Sequence, residues 1–211
     1  MYKKLALLIS LFGIPVANII AVERTVTAAL TSNYVFRGQT QTDGKLAVQA
    51  TYHAAQSKDK GWYAGVFGSN VDKGAEVDLY GGWRAPFKKD SDFAFDVGAV
   101  EYIYTDSAFA DSYYEVYGGL SFQTNYIRYF VGQNDADYLD LGASFFVMDD
   151  FGIDIHYGRT FGLQNNGNDV GVTMQKDVTG ILLIAVALTY EDLKPGNDVE
   201  FFVTVSKDFN L

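Results

Sequence analysis

Apolar and polar residues alternate along most of this chain, and in places both sets are unusually clean. In "EVDLYGGWRAP", Glu76 to Pro86, Val77, Leu79, Gly81, Trp83 and Ala85 fall on one parity. Glu76, Asp78, Tyr80, Gly82 and Arg84 fall on the other. Successive strand side chains point to opposite faces, so this is a ribbon with one greasy side and one charged side. The pattern recurs. It begins in "VTAALTSNYVFR", read as one strand with Val26, Ala28, Leu30, Tyr34 and Phe36 on a face opposite Thr27, Thr31, Asn33 and Arg37. It ends in a strand carrying Phe201, Val203, Val205, Phe209 and Leu211 on one parity.

The spacing predicts about twelve strands, many longer than the five or six residues usual in soluble sheets and matching the 9–11 that a tilted strand needs to cross hydrocarbon. Compact connections ("QSKDKG", "FKKDS", "QTN", "MDD", "KDVTG") alternate with connections that are longer and polar ("GQTQTDG", "TDSAFADS", "GLQNNGN"). A soluble β-sandwich would also alternate. Strand length, loop asymmetry and aromatics near strand ends (Tyr34, Phe36, Trp83, Tyr157, Phe161, Tyr190, Phe209) favour an antiparallel up-and-down transmembrane β-barrel with both termini periplasmic. Glu101 and Arg159 fall on the apolar parity. Either they sit near the outer end, where a charge costs little, or a bulge after Ala99 flips the register there.

The N-terminus supports the same compartment. Lys3 and Lys4 precede an apolar run from Leu5 to Ile14 that Pro15 interrupts. This reads as a secretory signal peptide over 1–21, cleaved near Ala17 or Ala21, with the outer-membrane barrel over 22–211. The run is too short for a spanning helix.

Composition narrows the function. The chain is 48% hydrophobic and 16% aromatic, which excludes disorder, and it has no cysteine, which excludes disulfides and thiolate metal sites. A formal net charge of −10 without a basic run argues against a nucleic-acid partner. Neither "DKGAE" nor "NNGND" has calcium-loop spacing, "VFRGQTQTDGK" is not a P-loop, and no cofactor motif is present. Only His53 and His156 are available for acid–base work. His156 with Asp154 on the same face is a conceivable pair, weighed against a lumen histidine satisfied by a carboxylate. An enzyme is therefore not expected.

"LTSNYVFRGQTQTDGKLAVQ", "WYAGVFGSNVD", "EVDLYGGW", "YYEVYGGLSF" and the closing "VSKDF" resemble the TorF family of porin-like Gram-negative outer-membrane proteins, over nearly the whole mature chain. The resemblance implies passive transport and no particular substrate. Barrels of this kind usually end on Phe, whereas this chain ends on Leu211, with Phe209 keeping the apolar spacing.

On a barrel the polar parity lines the interior. The pore-lining candidates are Arg37, Glu76, Asp78, Arg84, Asp96, Glu115, Arg128, Asp140, Asp154, His156 and Glu200, with His53 also inward. Acids outnumber arginines, so the expected function is diffusion of small hydrophilic solutes with a cation or neutral preference. Compact-turn register places Arg128, Ser144 and Asp154 at similar depth on successive strands, with Arg128 and Asp154 about 10 Å apart. That geometry suits a constriction with a transverse field, or a salt-bridge network plugging a narrow barrel. The alternative function is a closed barrel whose acidic outer loops serve adhesion or partner binding. Expected partners are outer-membrane lipids and lipopolysaccharide, the barrel-assembly machinery, and small hydrophilic solutes.

Overall fold

The computed structural model describes residues 22–133, 136–162, 166–178, 180–192 and 198–211. Residues 1–21, expected from the sequence to be a signal peptide, lie outside them. The alternating stretches form β1 (Glu23–Thr31), β4 (Ala47–Ala55), β5 (Gly61–Asn70), β6 (Ala75–Pro86), β7 (Phe93–Tyr104), β8 (Tyr113–Phe122), β9 (Asn125–Gly132), β10 (Asp137–Met148), β11 (Phe151–Phe161), β12 (Gly167–Val178), β13 (Leu182–Glu191) and β14 (Asp198–Asn210). Each pairs antiparallel with its neighbour, and β1 closes the ring on β14 through Thr25↔Asn210 to Thr31↔Thr204. The result is a closed barrel with every spanning strand paired on both edges, the condition for placing a sheet in hydrocarbon. Two further strands, β2 (Val35–Phe36) and β3 (Gln39–Thr40), pair only with each other.

The two faces separate as the alternation requires. Leu79, Trp83 and Val97 are 42, 48 and 48% exposed on the outside, in a belt continued by Val116, Leu120, Ile127, Ile155 and Leu188. Glu76 and Glu115, on the other parity, are buried. An apolar belt running round the whole barrel is far larger than the patches soluble monomers expose, and acyl chains are the medium that suits it. The two-residue turns at 123–124 and 149–150 lie at the end that carries both chain termini, and the long segment 32–46 lies at the opposite end. The first is the terminal end of the barrel and the second its loop end.

Glu101 and Arg159 resolve differently from each other. Register between β6 and β7 runs unbroken from Glu76↔Tyr104 to Pro86↔Ala94, so no bulge follows Ala99 and Glu101 stays outward opposite Leu79. Arg159 is also outward, at the loop end. It donates to Asn168 Oδ1 at 3.0 Å and lies 5.2 Å from the Phe161 ring centre. Asn168 donates in turn to Asp192, from its backbone N–H and its side chain, and these bonds hold the Asp192 carboxyl below the usual carboxylate range. The charge on the apolar parity is thus satisfied at the rim.

The first strand is shorter than its alternation predicts. It stops at Thr31, and residues 32–46 turn into the barrel. Asn33 causes the turn: its Oδ1 accepts from the Thr40 and Thr42 hydroxyls at 2.6 and 3.0 Å, and the Thr42 hydroxyl accepts from the Tyr34 N–H at 3.0 Å. Tyr34 and Phe36 therefore leave the aromatic girdle. Tyr34 packs with Ala47 and Val71, and Phe36 lies against Tyr102 with ring centres 5.6 Å apart.

An arginine placed in the apolar belt discriminates this orientation. Val97→Arg, near the middle of β7, is expected to cost about 2–4 kcal/mol of folding free energy in lipid vesicles, and Glu101→Arg no more than about 1 kcal/mol. Urea titration of tryptophan fluorescence measures both, and the reverse order would contradict the assignment.

Candidate functional site

The barrel interior is the candidate site, and the inserted hairpin organises it. Phe36↔Gln39 leaves Arg37 and Gly38 as a two-residue turn with φ of 50° and 79°. Positive φ at both centres is the type I′ geometry that matches strand twist. A Cβ on Gly38 would sit 2.7 Å from Glu191 Cβ and 2.8 Å from Asp169 Cβ, so only glycine lets the tip reach the far wall. The hairpin leaves β1 and crosses the lumen to meet β8, β10, β12 and β13.

Arg37 is the anchor at its tip. Its guanidinium makes two parallel bonds to Glu115, Nη1 to Oε1 at 2.7 Å and Nη2 to Oε2 at 2.6 Å. It lies 4.0 Å from the Tyr138 ring centre and 5.2 Å from that of Phe130. A bidentate pair between aromatic faces is the strongest arrangement open to a buried arginine. Arg37 was expected on the barrel wall. It reaches the interior instead from a loop, because Asn33 redirects the chain before it. Glu200 holds the hairpin base by accepting from Asn33 Nδ2 at 2.7 Å. At the loop end, Lys45 donates to Asp72 at 2.6 Å, and this bond keeps the Asp72 carboxyl below its ordinary range.

The wall residues form two further groups. Toward the terminal end, the Tyr63 hydroxyl donates to Asp96 and contacts the Tyr117 hydroxyl. Arg128 pairs with the same Asp96 at 3.8 Å, Arg84 lies 4.3 Å from the Tyr63 ring centre, and His53 meets the Tyr80 hydroxyl at 3.0 Å. Beside the hairpin tip, His156 stands between two carboxylates, Nδ1 at 3.1 Å from Asp140 and Nε2 at 2.6 Å from Asp169. The Tyr138 hydroxyl donates to Asp169 at 3.0 Å.

Two expectations are corrected here. Arg128 is level with Asp140 rather than Ser144, and Ser144 pairs with Asp154, so Arg128 and Asp154 do not share a depth. Pairing between β9 and β10 begins at Val131↔Asp137, and this register sets Arg128 opposite Asp140. His156 and Asp154 do not pair, because His156 is held by Asp140 and Asp169, leaving no acid–base couple with Asp154. Asp169 was missed. Its parity, one residue before outward Val170, was the only available signal.

Register brings many of these groups onto a single line of cross-strand partners: Arg84, Asp96, Gly119, Arg128, Asp140, Gly158, Asp169, Glu191 and Asp198, on successive strands from β6 to β14. Gly119 is where the Arg128 side chain crosses, since a Cβ there would lie 2.7 Å from Arg128 Cγ. In a tilted barrel such a line winds round the lumen.

The two halves of the wall differ in bulk. From β5 to β11 the interior is packed with tyrosines, and Tyr63, Tyr102 and Tyr138 are buried. The opposite wall, on β12 to β14, β1 and β4, carries small side chains such as Thr25, Thr27, Thr51, Thr173, Ala185 and Thr204, which are half-buried. A cavity of about 350 Å³ lies between that side, the hairpin and β5–β6, lined by Thr31, Asn33, Tyr34, Val35, Gln49, Phe67, Asp78, Phe202 and Thr204. A second, of about 230 Å³, lies beneath the hairpin tip against Tyr126, Asp140 and His156.

A model of the family described as "Bacterial protein of unknown function (Gcw_chp)" matches residues 20–198. The chain belongs to the Gcw_chp family. Among solved structures, this Gcw_chp barrel is similar to the KdgM porin, with a TM-score of 0.61 and 10% identity over 90% of this chain and 99% of that one. It is similar also to the NanC porin, with a TM-score of 0.59 and 14% identity over 89% and 100%. The COG4313 outer membrane channel from Pseudomonas putida F1 matches with a TM-score of 0.53 and 11% identity over 90% and 95%. KdgM has also been solved in complex with disordered oligogalacturonate. At these identities the likeness is one of fold: the Gcw_chp chain has the fold of outer-membrane porins and channels. No curated protein matches it.

The anchor gives a stability test. Arg37→Ala leaves the Glu115 carboxylate buried without its cation and is expected to cost about 3–5 kcal/mol, whereas Arg37→Met with Glu115→Leu restores most of the loss. Urea unfolding in vesicles reads this, with protease cleavage within 35–40 reporting a hairpin that leaves the lumen first. Unchanged stability together with unchanged protection would refute the anchor.

Proposed function

We propose that this protein is a narrow outer-membrane channel for passive diffusion of small hydrophilic solutes. The observation that carries the reading is the asymmetry of the lumen. The tyrosine wall and the hairpin fill one side, while the opposite wall of mostly small side chains borders open space lined by both polar and aromatic groups. Solutes pass along that eccentric track rather than through the barrel axis. The terminal end faces the periplasm and the longer loops face outward, as in outer-membrane barrels generally. Surrounding lipids and lipopolysaccharide, and the assembly machinery that inserts the barrel, are the partners this placement implies. The TorF resemblance fits the same reading.

Charge sets the preference. Asp78 faces the cavity from β6, Glu200, Asp198 and Asp208 lie on the small-residue strand β14, and the lumen arginines lie within the packed tyrosine wall or at the hairpin tip. Focused by a low-dielectric barrel, this acidic track favours cations and neutral solutes over anions. The oligogalacturonate held by KdgM is a polyanion, and its chemistry does not transfer to a wall of this sign.

A second reading has one specific support, the hairpin across the lumen: a barrel closed by Arg37 and displaying its outer loops to a partner. Planar-bilayer recording separates the two. The wild type is expected to give small conductance steps with a reversal potential on the cation side. Thr204→Trp should reduce the steps at least about threefold by narrowing the track, and Arg37→Ala should enlarge them. Absence of steps in the wild type with large steps in Arg37→Ala would establish the closed barrel. An anion-side reversal potential would sink the charge assignment.

A further inference from the structure

Nearly every deeply buried carboxylate in the lumen has a matched partner. Glu115 has Arg37, and Asp140 and Asp169 share His156. Among the described residues a pair on β6 departs from this. Glu76 and Asp78 stand two residues apart on one face, which places their Cβ atoms about 7 Å apart, close enough for both carboxylates to turn toward one point. Glu76 is 0% exposed. Its Oε1 accepts from the Tyr104 hydroxyl at 3.1 Å, and the Tyr34 hydroxyl and Asp78 carboxyl also face it. Its Oε2 and Asp78 Oδ1, however, are buried oxygens without a geometric hydrogen bond. Among the described residues neither carboxylate is ion-paired.

The surroundings are rich in neutral oxygens and poor in positive charge. The register partners of Glu76 are Ser69 and Tyr104, and those of Asp78 are Phe67 and Tyr102. Asp78 also borders the larger cavity, where Thr31, Asn33, Gln49 and Thr204 supply further polar atoms. Buried carboxylate oxygens without a donor need a positive species. A proton shared between them would serve in a sealed site. Here Asp78 lines a cavity of about 350 Å³, large enough for an ion with part of its water shell, while Glu76 stands behind it.

We propose that Glu76 and Asp78 hold a divalent metal cation of the calcium class at the loop end of the lumen. Two carboxylates balance two positive charges. Hydroxyl oxygens from Ser69 and Tyr104 and water from the cavity complete an irregular oxygen shell, which calcium accepts and magnesium, bound to octahedral geometry, does not. The calcium-loop spacing absent from "DKGAE" is not required, because the ligands come from alternate positions of a strand and from across the sheet. The site stands independently of conduction, since a closed barrel would bind the ion equally.

Terbium, a luminescent substitute for calcium that tyrosine sensitises, tests this on the full-length mature barrel refolded in detergent without lipopolysaccharide. The wild type is expected to give saturable tyrosine-excited emission that calcium displaces more effectively than magnesium. Glu76→Gln with Asp78→Asn should weaken binding at least about tenfold, and Asp154→Asn, which alters a lumen carboxylate elsewhere, should leave it unchanged. Heat-modifiable gel migration reports folding of each variant. If the double variant does not fold, calorimetric titration of calcium into the wild type decides alone. No saturable binding by the wild type, or equal binding by the folded double variant, overturns the proposal and leaves the shared proton.

Discussion

Closure of the sheet on itself is the constraint from which the rest follows. In hydrocarbon no water is present to take an unpaired N–H or C=O, so a sheet can span only if its first and last strands meet. Here β1 and β14 do so over Thr25↔Asn210 to Thr31↔Thr204, reinforced by Thr27 donating to Asp208 at 2.6 Å and by the Ser32 N–H donating to the Val203 carbonyl at 2.9 Å. Once the ring is closed, each strand has an inside and an outside, and alternation sorts every side chain between lipid and lumen. An odd slip in any pairing would send a charged set into the acyl chains.

That sorting creates a second problem, a wide interior lined by acids. The protein resolves it unequally around the ring. On β5 to β11, tyrosine hydroxyls, Arg128 and a histidine meet the carboxylates directly, as in the Tyr63–Asp96–Arg128 and Asp140–His156–Asp169 groups. The hairpin tip contributes the Arg37 guanidinium to this side. On the opposite side small side chains leave space, and across it on β6 the Glu76–Asp78 pair, whose Asp78 lines the cavity, has no such partner. Channel and cation site thus grow from one asymmetry, with bulk and positive charge gathered on one half of the wall.

The hairpin also explains why the interior is divided rather than filled. Its base is fixed at one wall by Asn33 and Glu200 and its tip at the other by Arg37 and Glu115, with cavities on either side. Held at both ends, it acts as a strut across a lumen that would otherwise be wider than its side chains can span.

Alternation alone determined the barrel class, the strand number, the lipid-facing belt and the inward parity of residues such as Glu76, Asp96, Arg128 and Glu200, because a period of two is a local property of the chain. It could not determine which inward residues meet. Pairing register depends on where each connection ends, so the four-residue displacement of Arg128 from Asp154, the line running from Arg84 to Asp198, and the capture of His156 by Asp169 belong to the tertiary structure. The inserted hairpin was hidden for a related reason. "SNYVFR" alternates as a strand does, and only the Asn33 bonds to Thr40 and Thr42, with the far wall waiting for Arg37, turn it from the membrane into the lumen.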